Sequence, residues 1–175
     1  MSEGTAIAIA VVGRTRTGKT TFIKNELLTA YPAATVYVYD VNNEYPQFYK
    51  PIAKSGTFPS VKEFLTYAGK LRNSVLLFEE ATIYFKHANN SEELQNILIR
   101  KRHMNNIIIL TFHSLRAVPL YILESLNFIV IKKTNDRPDV IESKFKDHES
   151  IYDAYADVMD NPDPYATEIV DLYDE

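Results

Sequence analysis

Short apolar runs, each closed by a polar residue or a glycine, alternate along the chain with segments of helical period. Ala6 to Val12 is apolar, β-branched in part and closed by Gly13, which predicts a strand buried on both faces of a parallel sheet. A helix is expected from about Lys19 to Ala30, after which Pro32 marks a break and Thr35 to Tyr39 reads as a second strand ending at Asp40. The stretch from Val41 to Pro59 contains three prolines and no clear period, so it reads as a long surface loop with room for a short strand. Ser60 and Glu63 have the spacing of a capping box, and a helix to about Leu71 follows. Val75 to Phe78 is a buried-strand pattern followed at once by Glu79 and Glu80. Asn90 or Ser91 caps a helix to about His103, and Ile107 to Phe112 is again an apolar strand. Pro119 sits at the start of a short helix expected from Val118 to Leu126, and Phe128 to Lys132 is the last clear strand. Beyond Pro138 the pattern predicts one or two helices, capped at Asp147 or Ser150, and a final acidic strand or tail.

Strands and helices in this alternation specify an α/β fold with a mainly parallel sheet covered on both faces. The 175 residues suit one domain, 1–175, in which 146–175 forms an acidic C-terminal extension of helix and strand. The composition, 46% hydrophobic and 24% charged, is that of a compact globular protein and excludes fibrous or disordered classes. No window approaches the roughly 18 apolar residues of a membrane span, so a soluble, cytoplasmic protein without a membrane segment is expected. With no cysteine, disulfides, thiolate metal sites and cysteine nucleophiles are excluded. A net charge of −4 argues against coating nucleic acid with the whole surface, and leaves local basic patches at Ile99 to His103 and Lys132-Lys133.

The chemistry enters at Gly13-Arg14-Thr15-Arg16-Thr17-Gly18-Lys19-Thr20. It satisfies G-x-x-x-x-G-K-[ST] at every fixed position, between an expected strand and an expected helix. Glycines there let successive amides turn into one concavity that, with the positive end of the helix, binds phosphate oxygens. Lys19 is placed to contact the β- and γ-phosphates, Thr20 to ligate Mg²⁺ and Thr21 to donate toward the α-phosphate. The segment is therefore read as a site for ATP and Mg²⁺. In Val75-Leu76-Leu77-Phe78-Glu79-Glu80-Ala81 the two acids stand at the carboxyl end of a strand, where nucleotides bind in open α/β sheets. One acid can hold the metal and the other can orient and deprotonate water.

GRTRTGKT, VYDVNNEY, VLLFEEA and RKRHMNNIIILTFHS together resemble the FtsK–HerA branch of P-loop ATPases, DNA-pumping motors with a catalytic glutamate. Within it, the chain is most similar to the genome-packaging ATPases of tailless, membrane-containing icosahedral viruses. The resemblance covers roughly Ile7 to Phe145. It implies a three-layer, RecA-like P-loop fold of the additional-strand, catalytic-glutamate type, with Glu80 as the catalytic glutamate and Glu79 as the metal-side acid. It also implies a homo-oligomeric ring, DNA held by its backbone, a capsid or portal-vertex partner, and a place in the host cytoplasm or the virion. This chain departs from the family in having Glu79 where aspartate is usual, and in ending its fourth strand with Thr111-Phe112-His113-Ser114 where a glutamine senses the γ-phosphate. His113 is placed to donate to phosphate in that position. The neighbouring subunit's arginine falls on Arg102, with Arg100 second, while Arg14 and Arg16 stand within the phosphate loop. Lys86, His87, Asn89 and Asn90 are candidates for DNA contact. Two other functions stay open on these motifs: a kinase for a nucleoside or other small acceptor, and a slow ATP-dependent switch or assembly factor.

Overall fold

The computed structural model describes residues 6–32, 34–40, 42–45, 61–84 and 91–172. Five strands follow the five apolar runs: β1 (Ala8–Val12), β2 (Thr35–Tyr39), β3 (Ser74–Phe78), β4 (Ile107–Phe112) and β5 (Phe128–Lys132). A sixth, β6 (Thr167–Asp171), forms where the sequence left a choice between strand and tail. They make one sheet in the order β2-β3-β4-β1-β5-β6. All pairings are parallel except β5 with β6, which runs antiparallel from Phe128 opposite Asp171 to Lys132 opposite Thr167. Every residue of β1, β3 and β4 is buried, which is why these three read as unbroken apolar runs and not as alternating ones.

Alternate residues of each strand enter different cores. Ala8, Ala10 and Val12 join a cluster with Phe64, Leu94, Leu98, Phe145 and Tyr155, whereas Ile7, Ile9 and Val11 pack with Ile23, Leu28 and Tyr45 on the other face. Each fully buried aliphatic side chain contributes about 1.5–3 kcal/mol, so these two layers carry most of the folding energy.

The helices keep their expected places but not all of their expected ends. After the phosphate loop, α1 (Lys19–Phe22) passes into a π-helical turn (Ile23–Leu27), closed by Leu28 N–H donating to Ile23 O at 2.8 Å. It stops short of Ala30: residues 28–30 form a turn, with Tyr31 N–H donating to Leu28 O at 3.3 Å ahead of Pro32. α2 (Val61–Ala68) gives way to tight turns at Gly69 and Lys70, ahead of the expected Leu71; Ser60 of the capping box lies outside the described residues. α3 (Ala81–Tyr84) follows the acids directly, and α4 (Ser91–Met104) takes Ser91 into its first turn. A 3₁₀ turn (Leu115–Ala117) precedes α5 (Leu120–Leu123), which Pro119 opens and which covers only the middle of the expected span. α6 (Pro138–Lys144) has Pro138 in its first turn, and α7 (Glu149–Asp160) starts from His148 and not from Asp147 or Ser150. Among the described residues no helix is long and apolar enough to cross a membrane.

Candidate functional site

The parallel strands all point their carboxyl ends at one edge of the sheet, and the phosphate loop leaves β1 there. Its first two amides are used to fasten it: Gly13 N–H donates to Phe112 O (3.0 Å) and Arg14 N–H to Lys133 O (2.8 Å). Thr17, buried, turns its hydroxyl onto Arg14 O at 2.8 Å. A side chain at Gly13 would stand 2.8 Å from the Thr17 hydroxyl and 2.9 Å from Cβ of Lys132, so only glycine fits. Gly18 sits at φ 79°, in the left-handed region, and caps α1. The amides left for an anion are thus those between Thr15 and Thr20.

A cleft of about 440 Å³ opens over this loop, walled by Lys19, Thr20, Glu44, Glu79, Glu80 and His113, with Thr15, Arg16, Gly18 and Thr21 along its floor. The Lys19 ammonium donates to Gly13 O (2.6 Å) and Arg14 O (3.2 Å), which leaves one of its three donors for the cleft. Burial lowers its pKa, opposed by the carboxylates of Glu80, Glu44 and Glu79.

Consecutive residues at the end of β3 diverge. Glu79 N–H donates to Tyr39 O, and its side chain, 5% exposed, turns toward Asp40 and Glu44. Burial first, and these two carboxyl groups second, push its pKa up to about 9; Oε2 has no hydrogen-bond partner. Glu80 adopts φ 57°, an uncommon conformation for a residue with a side chain. Its N–H donates to the Thr111 hydroxyl on β4 at 2.9 Å, and Oε2 lies in close contact with Nε2 of His113. His113 is held in turn by its own N–H donating to the Thr82 hydroxyl at 3.2 Å. The kink at Glu80 thus sends one carboxylate toward β2 and the other toward β4.

Like Thr111 and Thr82, further residues at the site had no assigned role in the sequence. Asp40, buried, accepts from Glu44 N–H (3.0 Å) and Tyr45 N–H (2.8 Å), folding the segment after β2 over the loop. Glu44 then accepts from the Thr20 hydroxyl at 2.5 Å. Arg116, on the 3₁₀ turn two residues past Ser114, stands beside the cleft with Nε 3.7 Å from the buried Asp136 carboxylate. The available signal was Asp40 at a strand end ahead of Asn-Asn-Glu-Tyr, since aspartate there readily accepts from nearby amides.

Arg102 and Arg100 lie elsewhere. Both belong to the final turns of α4, where Asn105 N–H donates to Arg102 O just ahead of β4. The six-residue length of β4, about 20 Å, separates that edge from His113. Arg14, by contrast, is at the site and donates to the Asn135 side chain at 3.1 Å. Lys86, His87, Asn89 and Asn90 lie outside the described residues.

The residues fit a Mg²⁺-nucleotide. The loop offers a shaped anion cradle with a lysine, and a buried carboxyl oxygen on Glu79 is left without a partner beside the Thr20 hydroxyl pair. Among the described residues no three acidic or histidine side chains form a chelating group of their own.

No protein-family model and no curated protein sequence matches the chain. Among solved structures it is similar to the genome-packaging NTPase B204 of Sulfolobus turreted icosahedral virus 2. With that protein in complex with AMPPCP the identity is 19% over 97% of this chain and 94% of the other, at a TM-score of 0.75. For its complex with ATP-gammaS the figures are 18%, 99% and 95%, at a TM-score of 0.76. B204, the DNA-packaging ATPase of Sulfolobus turreted icosahedral virus, matches at 18% identity over 98% of this chain and 95% of that one, with a TM-score of 0.72. At this identity the likeness establishes a shared α/β fold: a mixed, mostly parallel sheet with helices on both faces.

Proposed function

We propose that this chain is a Mg²⁺-dependent ATPase that powers DNA translocation, of the kind that packages a viral genome into a capsid. The observation that carries the reading is the split at β3: one cleft holds the phosphate loop between a buried carboxyl on Glu79 and a braced carboxylate on Glu80. β4 lying between β1 and β3 supports the additional-strand, catalytic-glutamate type of P-loop fold, because Thr111 on it and His113 just after it brace that glutamate. Similarity to a packaging NTPase crystallised with ATP analogues supports the same substrate and role.

In this reading the free donor of Lys19 and the loop amides bind the β- and γ-phosphates, and Arg14, Thr15 and Arg16 border them. Thr20 and Glu79 hold Mg²⁺, with Glu44 behind Thr20. When bound, the metal neutralises charge on the phosphate oxygens. Glu80, set by Thr111 and His113, accepts a proton from water as the water oxygen bonds to the γ-phosphorus. The bond to the β–γ bridging oxygen breaks with its electron pair, giving ADP and inorganic phosphate. His113 also donates toward the γ-phosphate. Arg102 lies at the opposite edge of the sheet from its own cleft, so any contribution it makes to hydrolysis is to a neighbouring subunit's site in a ring; DNA, and a capsid or portal-vertex protein, are the chain's macromolecular partners.

Phosphate release from ATP, without any acceptor and with or without double-stranded DNA, tests the reading. Wild type releases phosphate, DNA accelerates it, and Lys19→Ala, folded by circular dichroism, releases none. Turnover that needs a small acceptor indicates the kinase, and slow turnover indifferent to DNA indicates the switch.

A further inference from the structure

A second cleft continues the first. It has a volume of about 470 Å³, within the range of small-molecule sites, and shares Gly18 and Thr21 with the phosphate cleft. Its other walls include Phe22, Asn25 and Glu26 on the first helix and Tyr165 on the turn before β6. A triphosphate whose γ end lies by Lys19 and Glu80, and whose α end lies by Thr21, must send its nucleoside past Thr21. The second cleft begins there.

Tyr165 is a large aromatic left 61% exposed on a turn that is tightly fastened. Asp163 N–H donates to the Asn161 side chain (2.9 Å), and Tyr165 N–H to the Asp163 carboxylate (2.8 Å). Tyr165 O accepts from the Thr167 hydroxyl (2.9 Å) and the Lys132 ammonium (3.3 Å), while Lys133 donates to Met159 O at 3.0 Å and also to Asn161 O. Lys132 ends β5 and Lys133 follows it, its carbonyl also fastening Arg14 of the phosphate loop. The ring is thereby set against the loop's last glycine: a side chain at Gly18 would lie 3.2 Å from Cδ1 of Tyr165. Such bracing is out of proportion for a solvent-facing residue, and it suits a rigid stacking surface whose use costs little ordering entropy.

We infer that Tyr165 is the platform on which the nucleobase stacks, with the ribose beside Thr21 and Phe22, Asn25 and Glu26 completing the cleft. This rests on the nucleotide site proposed above. It gives the C-terminal segment a role: α7 and β6 carry the turn to the mouth of the loop.

Calorimetric titration of the full chain with Mg²⁺-ATP and with Mg²⁺-tripolyphosphate, which has no base, tests it. Loss of a stacking ring typically weakens binding by about 5- to 150-fold. Tyr165→Ala is expected to lose that much affinity for ATP and none for tripolyphosphate, while Tyr165→Phe keeps both. Unchanged ATP affinity in Tyr165→Ala overturns the inference. Equal loss for tripolyphosphate also overturns it, since Tyr165 is then a prop for Gly18. If wild type binds neither compound, the phosphate-loop reading itself fails and takes this one with it.

Discussion

Burial pushes the Glu79 carboxyl up to about 9, helped by Asp40 and Glu44, so in the protein without nucleotide and metal the group is neutral near pH 7. An unfolded glutamate titrates near 4.5. Between the two values the folded state holds a proton that the unfolded state has lost, and stability falls as pH rises, by at most about 1.4 kcal/mol per pH unit. Urea midpoints measured from pH 5 to 8 without Mg²⁺ should therefore decline. Glu79→Gln, shaped like the protonated acid, should show a flatter slope, and an equal slope in both proteins contradicts the assignment. The pair Glu79-Glu80 was legible in sequence because a strand end in this fold faces the site. Their opposite directions were not, since they depend on the positive φ of Glu80 and on Thr111 of a strand thirty-one residues on. Asp40 and Glu44 were hidden for a similar reason: their partners, two backbone amides and the Thr20 hydroxyl, are set by how the chain folds over itself.

Five of the six strands were legible to within two residues, helped by β1, β3 and β4 being buried throughout, which leaves no other explanation for runs such as Ile107 to Leu110. Helix ends were read less well. The π turn after Phe22, the early end of α2 and the His148 start of α7 each depend on local hydrogen bonds that hydrophobic spacing does not encode. Polar residues between elements also carried more of the fold than their sequence suggested. Asn127, buried ahead of β5, accepts from Ala8 N–H through its side chain at 2.7 Å, donates its own N–H to Ala8 O at 2.8 Å and accepts from Leu172 N–H at 2.9 Å. It ties β1, β5 and the end of β6 together. Asn127→Ala leaves the Ala8 amide unsatisfied and should cost about 1–3 kcal/mol in a denaturant titration. A loss under about 0.5 kcal/mol would show that the contact is dispensable.

At the scale of the whole molecule, one sheet spans the described chain, with the proposed chemistry at the carboxyl ends of its parallel strands and Arg102 at the opposite edge. The second cleft was the feature least visible in sequence, since Tyr165 lies far along the chain from Gly18 and belongs to no motif. If this edge hydrolyses ATP with Glu80 as the base, as we propose, single-turnover hydrolysis of ATP by Glu80→Gln tests that claim most directly. The variant should bind Mg²⁺-ATP as wild type does and cleave it about 10²–10⁴-fold more slowly. Cleavage at the wild-type rate by a Glu80→Gln protein saturated with ATP would contradict the claim.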